Sequence, residues 1–328
     1  MTGLQPSRRD LGRLALGAAA LSIGIVPAVK ADVAPFTVVD ALGRTVRFQA
    51  TPRRVVALGH APFSQLAALQ VRPVGAFANP GFTALTDYLF PDPASIPSVV
   101  NIDWSPDAEI MARLRPDLVL GWGFNEAQMV EGLAPFLAIR EFTSIADVTG
   151  NLRMLGTVLD ASAAAEQAIM LFEARRLAYR RRTARKGSLL FVSGRDTKRV
   201  SVASQANVIC QLADDVSDCV AHSPAARSPY VDMSLEGLLA IDPDSIVLGY
   251  FQVARRPAYL AALARTPIWK ELRAVKTGRV ILYDGYQDLS IRGLPTAARL
   301  LDLIVPKLQP ERVPRALDDS ELITGARG

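Results

Sequence analysis

Two well-separated stretches of this chain repeat one pattern, and the repetition constrains the fold more than any single motif. In the first, Glu109 lies seven residues before Pro116-Asp117, and the apolar run DLVLGW follows, ending in Gly121-Trp122. In the second, Glu236 lies seven residues before Pro243-Asp244, and SIVLGYF follows, carrying Gly249-Tyr250. Each predicts a short helix with Glu in its first turn, a Pro-Asp turn, and a buried strand capped by glycine and an aromatic residue. A unit that occurs once in each half predicts two similar lobes.

The flanking pattern agrees. TVVDALGRTVRF at 37–48 alternates apolar and polar residues around Gly43, which predicts a hairpin. Short β-rich runs then alternate with helical stretches: VVALG at 55–59, PVGAF at 73–77 and DLVLGW, and later SLLFVS at 188–193, SIVLGYF and RVILYD at 279–284. Such alternation is the signature of α/β lobes with mainly parallel sheets. From Ser144 to Lys186 there is no proline, and apolar residues recur at helical spacing. A shorter helix and then a long one, from about Ser162 to Arg185, are expected. Arg175, Arg176, Arg180, Arg181, Arg182 and Arg185 collect toward the end of the long helix, where its dipole favours cations. A solvated basic face is the expectation for them, ahead of an anion-docking patch. The expected organisation is an α/β lobe over 32–160, a connecting helix over 161–186, and a second α/β lobe over 187–328.

Residues 1–31 have the form of an export signal: a basic start, an apolar stretch from Leu11 to Val26, and small residues before Asp32. Ser7-Arg8-Arg9-Asp10-Leu11 fits the twin-arginine pattern, and cleavage after Ala31 leaves no cysteine for a lipid anchor. The expected destination is the periplasm. The formal charge of +5 includes Arg8, Arg9, Arg13 and Lys30 against Asp10, so about +2 remains on the mature chain. That balance gives no support to a nucleic-acid partner. In an oxidising compartment Cys210 and Cys219 could be joined or could be two idle thiols, and sequence leaves both open. Two cysteines and two histidines at these spacings do not make a zinc site.

Five segments in order carry a family resemblance: TVVDALGRTVRF with PRRVVAL, LAALQVRPVGAF, AEIMARLRPDLVLGW, SLEGLLAIDPDSIVLGY, and TPIWKELRAVKTGRVILYD. Over nearly all of the mature chain, the sequence resembles periplasmic substrate-binding proteins of the iron-siderophore, haem and cobalamin ABC-importer class. Within that class FPDPASIPSVVNID, in the stretch from Tyr88 to Ile102, is most similar to the ferric-hydroxamate binders. The hydroxamate members place an arginine shortly before the first-lobe glutamate, whereas this chain has Asp103 and Trp104 there. The resemblance implies two lobes across a shallow cleft, one long bridging helix, and docking of Glu109 and Glu236 to arginines of a membrane permease. It implies a monomer that works without a cofactor of its own, because the iron arrives inside the siderophore.

In open α/β sheets ligands collect beyond the carboxyl ends of the strands. That rule, with the chemistry of a bulky complex bearing an apolar periphery and oxygen-rich centre, selects the candidates. Tyr88, Trp104, Trp122, Phe124 and Tyr286 are candidate walls and contacts, and Arg227, Tyr230 and Arg292 are candidate donors. His60 is a possible haem ligand and aromatic walls with few charges suit cobalamin, so both stand as alternatives to a ferric siderophore, and a periplasmic sensor subunit as an alternative to transport. An enzyme is not expected. There is no Gly-x-Gly-x-x-Gly turn after the first strand, no Gly-x-Ser-x-Gly elbow, and no linked nucleophile, base and orienting acid.

Overall fold

The hairpin comes first because Asp40 builds it. Strands β1 (Phe36–Val39) and β2 (Thr45–Phe48) pair antiparallel, and Gly43 takes the left-handed conformation that the turn requires. One carboxylate oxygen of Asp40 accepts the backbone N–H groups of Leu42 and Arg44, and the other accepts the Arg44 guanidinium and the N–H of Ala138. The computed structural model describes residues 34–77, 87–101, 105–183, 187–194, 196–220, 228–250, 255–284, 292–319 and 321–322. The export signal expected over 1–31 lies outside the described residues.

The first sheet is parallel throughout. Strands β3 (Val55–Ala57), β4 (Gly75–Ala76), β5 (Leu118–Gly121) and β6 (Phe136–Ala138) run in the order β4-β3-β5-β6. Every residue of these four strands is buried, as expected where helices cover both faces. Helices α1 (His60–Ala68), α2 (Ala108–Leu114) and α3 (Phe124–Met129) return the chain between strands, and α4 (Ile145–Val158) follows the last. Ser144 caps α4 by accepting the Asp147 N–H at 3.1 Å.

Helix α5 (Ser162–Arg182) stands between the two sheets in chain order, close to the bounds expected for it. The second sheet is mixed. Strands β7 (Ser188–Gly194), β8 (Arg199–Ala203), β10 (Tyr230–Ser234), β11 (Ser245–Tyr250) and β12 (Val280–Asp284) run in the order β10-β8-β7-β11-β12, with the short β9 (Asp218–Cys219) pairing the start of β7. The β7-β11-β12 half is parallel like the first sheet, whereas β8 and β10 add an antiparallel edge. Helices α6 (Val208–Ala213), α7 (Leu235–Ile241), α8 (Arg256–Leu263), α9 (Pro267–Glu271) and α10 (Arg273–Lys276) connect these strands. A disulfide joins Cys210 in α6 to Cys219 in β9, with Cα atoms 5.4 Å apart, and so decides the alternative that the sequence left open.

The last helix, α11 (Leu294–Leu308), ties the halves together. Leu294, Ala297, Leu301, Ile304, Val305 and Leu308 are buried at helical spacing, in one apolar core that includes the hairpin, α1, α4, α5 and one face of the second sheet. Each fully buried leucine contributes about 1.5–3 kcal/mol. A shared core of this kind resists a wide hinge.

Arg175 and Arg176 correct the expectation of a solvated face on α5, whereas Arg180, Arg181 and Arg182 are exposed as expected and Arg185 lies outside the described residues. Arg175 is buried, with its guanidinium donating to Asp302 at 2.6 Å, to the Leu317 carbonyl at 2.9 Å and to Asp319. Tyr179 is fully buried beside it and donates to the same Asp302 at 2.6 Å. Arg176 and Arg180 converge on the buried Asp215. Helical spacing places Arg175 and Arg176 on an inward face, where acids from distant segments neutralise them, while Arg180 reaches Asp215 from the exposed side.

Candidate functional site

Three parallel strands of the first sheet end at one place. The chain leaves β3 at Leu58-Gly59-His60, β4 at Phe77 and β5 at Trp122, and these residues line an open cavity of about 580 Å³. Val100, Ser105 and Pro106 close one side, Asn125, Glu126 and Met129 of α3 another, and Arg292, just before α11, enters from the far half of the chain. The volume lies within the range of small-molecule sites, and its position obeys the strand-end rule.

Two glycines make the floor possible. Gly59 has φ of 121°, and a Cβ there would stand 3.1 Å from the Trp122 indole nitrogen, so the ring lies flush against bare backbone. A Cβ on Gly121 would stand 2.5 Å from a Glu126 carboxylate oxygen and 2.6 Å from the Phe136 ring. With glycine there, Glu126 folds back to accept the N–H groups of Trp122 at 2.5 Å and Gly123 at 3.2 Å. Trp122 also packs against Phe142, with ring centroids 5.7 Å apart.

His60 meets Phe77 edge-on at 4.8 Å. Burial, with the positive charge of Arg292 nearby, depresses its pKa to about 3, so the imidazole is neutral at any ordinary pH. Arg292 is itself pushed toward lower pKa by burial, and the neighbouring Tyr230 opposes that shift.

Of the residues that the sequence nominated, the structure brings Trp122 and Arg292 into the cavity wall and sets Tyr230 within electrostatic reach of Arg292. Tyr230 opens β10 and is 42% exposed. Phe124 is 59% exposed but is not a lining residue; Asn125 and Met129 of the same helix take that place. Tyr88 lies elsewhere, under the Arg299 guanidinium at 4.9 Å, with its hydroxyl donating to the Pro295 carbonyl at 3.4 Å. Trp104, Arg227 and Tyr286 lie outside the described residues. Asn125, Glu126 and Met129 are residues that sequence reasoning misses, because they line the cavity from the helix after β5 and not from the strand end itself.

Glu109 and Glu236 occupy equivalent places. Each is the second residue of a seven-residue helix, α2 or α7. Asp107 caps α2 by accepting the Ile110 N–H at 2.9 Å, and Ser234 caps α7 by accepting the Gly237 N–H at 3.2 Å. Both helices close on a left-handed residue, Arg115 or Asp242, each with φ of 44°. Both carboxylates are exposed.

Among the described residues no helix is long and apolar enough to cross a membrane, and no group of three His, Cys, Asp or Glu side chains is placed to hold a metal ion. Comparison with known proteins places this geometry. A probable siderophore-binding lipoprotein, YfiY of Bacillus subtilis, is 23% identical over 278 residues, covering 81% of this chain and 85% of its own. Among solved structures, the triscatecholate siderophore binding protein FeuA of Bacillus subtilis, complexed with ferri-bacillibactin, superposes with a TM-score of 0.67 at 18% identity, covering 84% of this chain and 98% of FeuA. SirA of Staphylococcus aureus, complexed with staphyloferrin B, gives 0.68 at 18% identity, covering 84% and 98%. A model of the periplasmic binding protein family matches residues 55–286, which take in the four-stranded and six-stranded sheets, the helix between them and every lining residue of the strand-end cavity except Arg292. The chain belongs to the periplasmic binding protein family.

Proposed function

We propose that this protein captures a ferric siderophore outside the inner membrane and delivers it, chemically unchanged, to an ABC importer. The observation that carries the reading is the strand-end cavity: about 580 Å³, open, walled by Trp122, Phe77 and Met129, and entered by one guanidinium. An apolar wall suits the periphery of an iron complex, and a guanidinium suits its oxygens. The names of the relatives support the same class, while their ligands are not of one chemistry. The ferric-hydroxamate expectation is therefore one arm of the test. The protein supplies no chemical step in this reading, and the siderophore supplies every ligand to the iron.

Delivery requires a surface that the permease can recognise on both lobes. Glu109 and Glu236 meet that need, because carboxylates in a first helical turn are stabilised by the dipole and stand exposed where arginines of a partner can reach them. The mature protein, from Asp32, is titrated with a ferric hydroxamate, a ferric catecholate, haem and cobalamin, with tryptophan fluorescence and intact-complex mass recorded. Saturable one-to-one binding of an iron-siderophore complex is expected. Binding of haem or cobalamin alone would keep the family and overturn the siderophore.

A further inference from the structure

Arg292, half-buried, is treated unlike Arg175 and Arg176, which this fold also draws inward. Arg175 and Arg176 each meet carboxylates at hydrogen-bonding distance. Arg292 meets none among the described residues: its backbone N–H donates to Thr296 Oγ1 at 2.7 Å, and its side-chain Nε is sealed from solvent without a hydrogen-bond partner. A buried charge without a counter-charge is costly, and folds supply a partner or leave room for one to arrive.

Among the described residues no carboxylate pairs with the Arg292 guanidinium. Glu126 is the one carboxylate among the described lining residues, and the oxygen it turns to the backbone is engaged by Trp122 and Gly123. His60 is neutral. Tyr230, from the second sheet, comes within electrostatic reach of Arg292. Arg292 also directly precedes the positive end of the fifteen-residue α11.

We infer that the cavity selects a ferric complex of net negative charge, carried on catecholate or carboxylate oxygens, and that Arg292 is the residue that reads this charge. The inference rests on the ferric-siderophore reading and narrows it. A neutral ferric tris-hydroxamate satisfies the aromatic wall but brings no counter-charge to the guanidinium.

The test uses the mature protein and its Arg292→Met and Arg292→Lys variants against three probes: a triply negative ferric tris-catecholate, ferric citrate, and a neutral ferric tris-hydroxamate. Thermal melting of each variant checks the fold, which should persist because the side chain makes no hydrogen bond or ion pair among the described residues. The wild type is expected to bind at least one anionic complex about tenfold or more tighter than the neutral one. Arg292→Met should weaken the anionic complex by about 30-fold or more and leave the neutral one unchanged, and Arg292→Lys should restore part of the loss. Equal or tighter binding of the neutral complex, or an equal loss for all three probes, would overturn the inference and leave the siderophore reading standing. Failure of every ferric complex to bind the wild type would overturn both.

Discussion

The two copies of the repeated unit share a backbone and differ in how they are anchored and charged. In the first, both oxygens of Asp117 accept backbone N–H groups, of Arg53 at 2.8 Å and Arg54 at 2.7 Å, while the Arg54 guanidinium holds the carbonyl of Leu114 at the end of α2. In the second, Asp244 accepts the N–H and O–H of Ser188, and Arg273 bridges Asp242 and Asp244. The geometry of helix, left-handed residue, Pro-Asp and strand is thus independent of which side chains secure it. The glutamates differ too. Glu109 is shared with Arg113 at 3.5 Å, whereas Glu236 has no ion-pair partner among the described residues. Its own N–H and the Ser234 hydroxyl hold its pKa below the usual carboxylate range. The second lobe therefore offers an uncompensated anion, and the first offers one that must trade partners to dock.

That asymmetry sets the largest expected effect. Reversing both charges, Glu109→Arg with Glu236→Arg, should reduce siderophore uptake by cells about 100-fold or more while the affinity of the isolated protein for its ligand stays the same. Of the single reversals, Glu236→Arg should cost more, because Glu109 is already partly neutralised. Uptake that survives the double change would remove the docking role from both residues, and equal single effects would remove the asymmetry.

The next effect concerns the joint between the lobes. Asp302 receives Arg175 and Tyr179 together, so Asp302→Ala strands a buried guanidinium and a buried hydroxyl. Asp319 and the Leu317 carbonyl still serve Arg175, so the loss falls at the lower end of a broken buried pair, about 3 kcal/mol, read by chemical denaturation. A loss below about 1 kcal/mol would mean that the C-terminal segment carries the joint without Asp302. Burial raises the Asp302 pKa, and the bonds from Tyr179 and Arg175 offset this only in part. Its contribution to stability is therefore greatest at low pH and declines as pH rises from the unfolded carboxylate range through the raised folded value.

This joint also marks where the sequence stopped being legible. The hairpin, the strands VVA, LVLG and SIVLGY, the Ser144-capped helix and the start of α5 follow from local pattern, because residues a few positions apart decide them. Burial of Arg175 depends on acids 127 and 144 positions away, and Tyr88 finds its carbonyl 207 positions away. No local pattern carries such pairings, so the arginines suggested a wet face and Tyr88 suggested a ligand contact. Trp122 and Arg292 reach the cavity for a more readable reason. The first ends a strand, and the second lies between the last strand and the last helix, where an α/β fold returns the chain to its ligand face.

The smallest effect separates the two Pro-Asp anchors. Asp117→Asn should cost about 1 kcal/mol, since the amide oxygen still serves one of the two backbone donors. Asp244→Asn should cost about the same from its Ser188 bonds and somewhat more through Arg273, an ion pair that salt screens because it stands half in solvent. The two variants should therefore converge at high ionic strength. Asp244→Asn should also change the pH dependence of stability. Bonds from the Ser188 N–H and hydroxyl, with Arg273 beside them, hold the Asp244 pKa below its usual value. A depressed carboxylate stabilises the fold above the unfolded pKa and loses that contribution as pH falls toward the folded one. Acid unfolding of Asp244→Asn should accordingly lack part of the steepness that the wild type shows below the normal carboxylate range. If the slope is unchanged, the Ser188 contacts hold Asp244 by shape and not by charge.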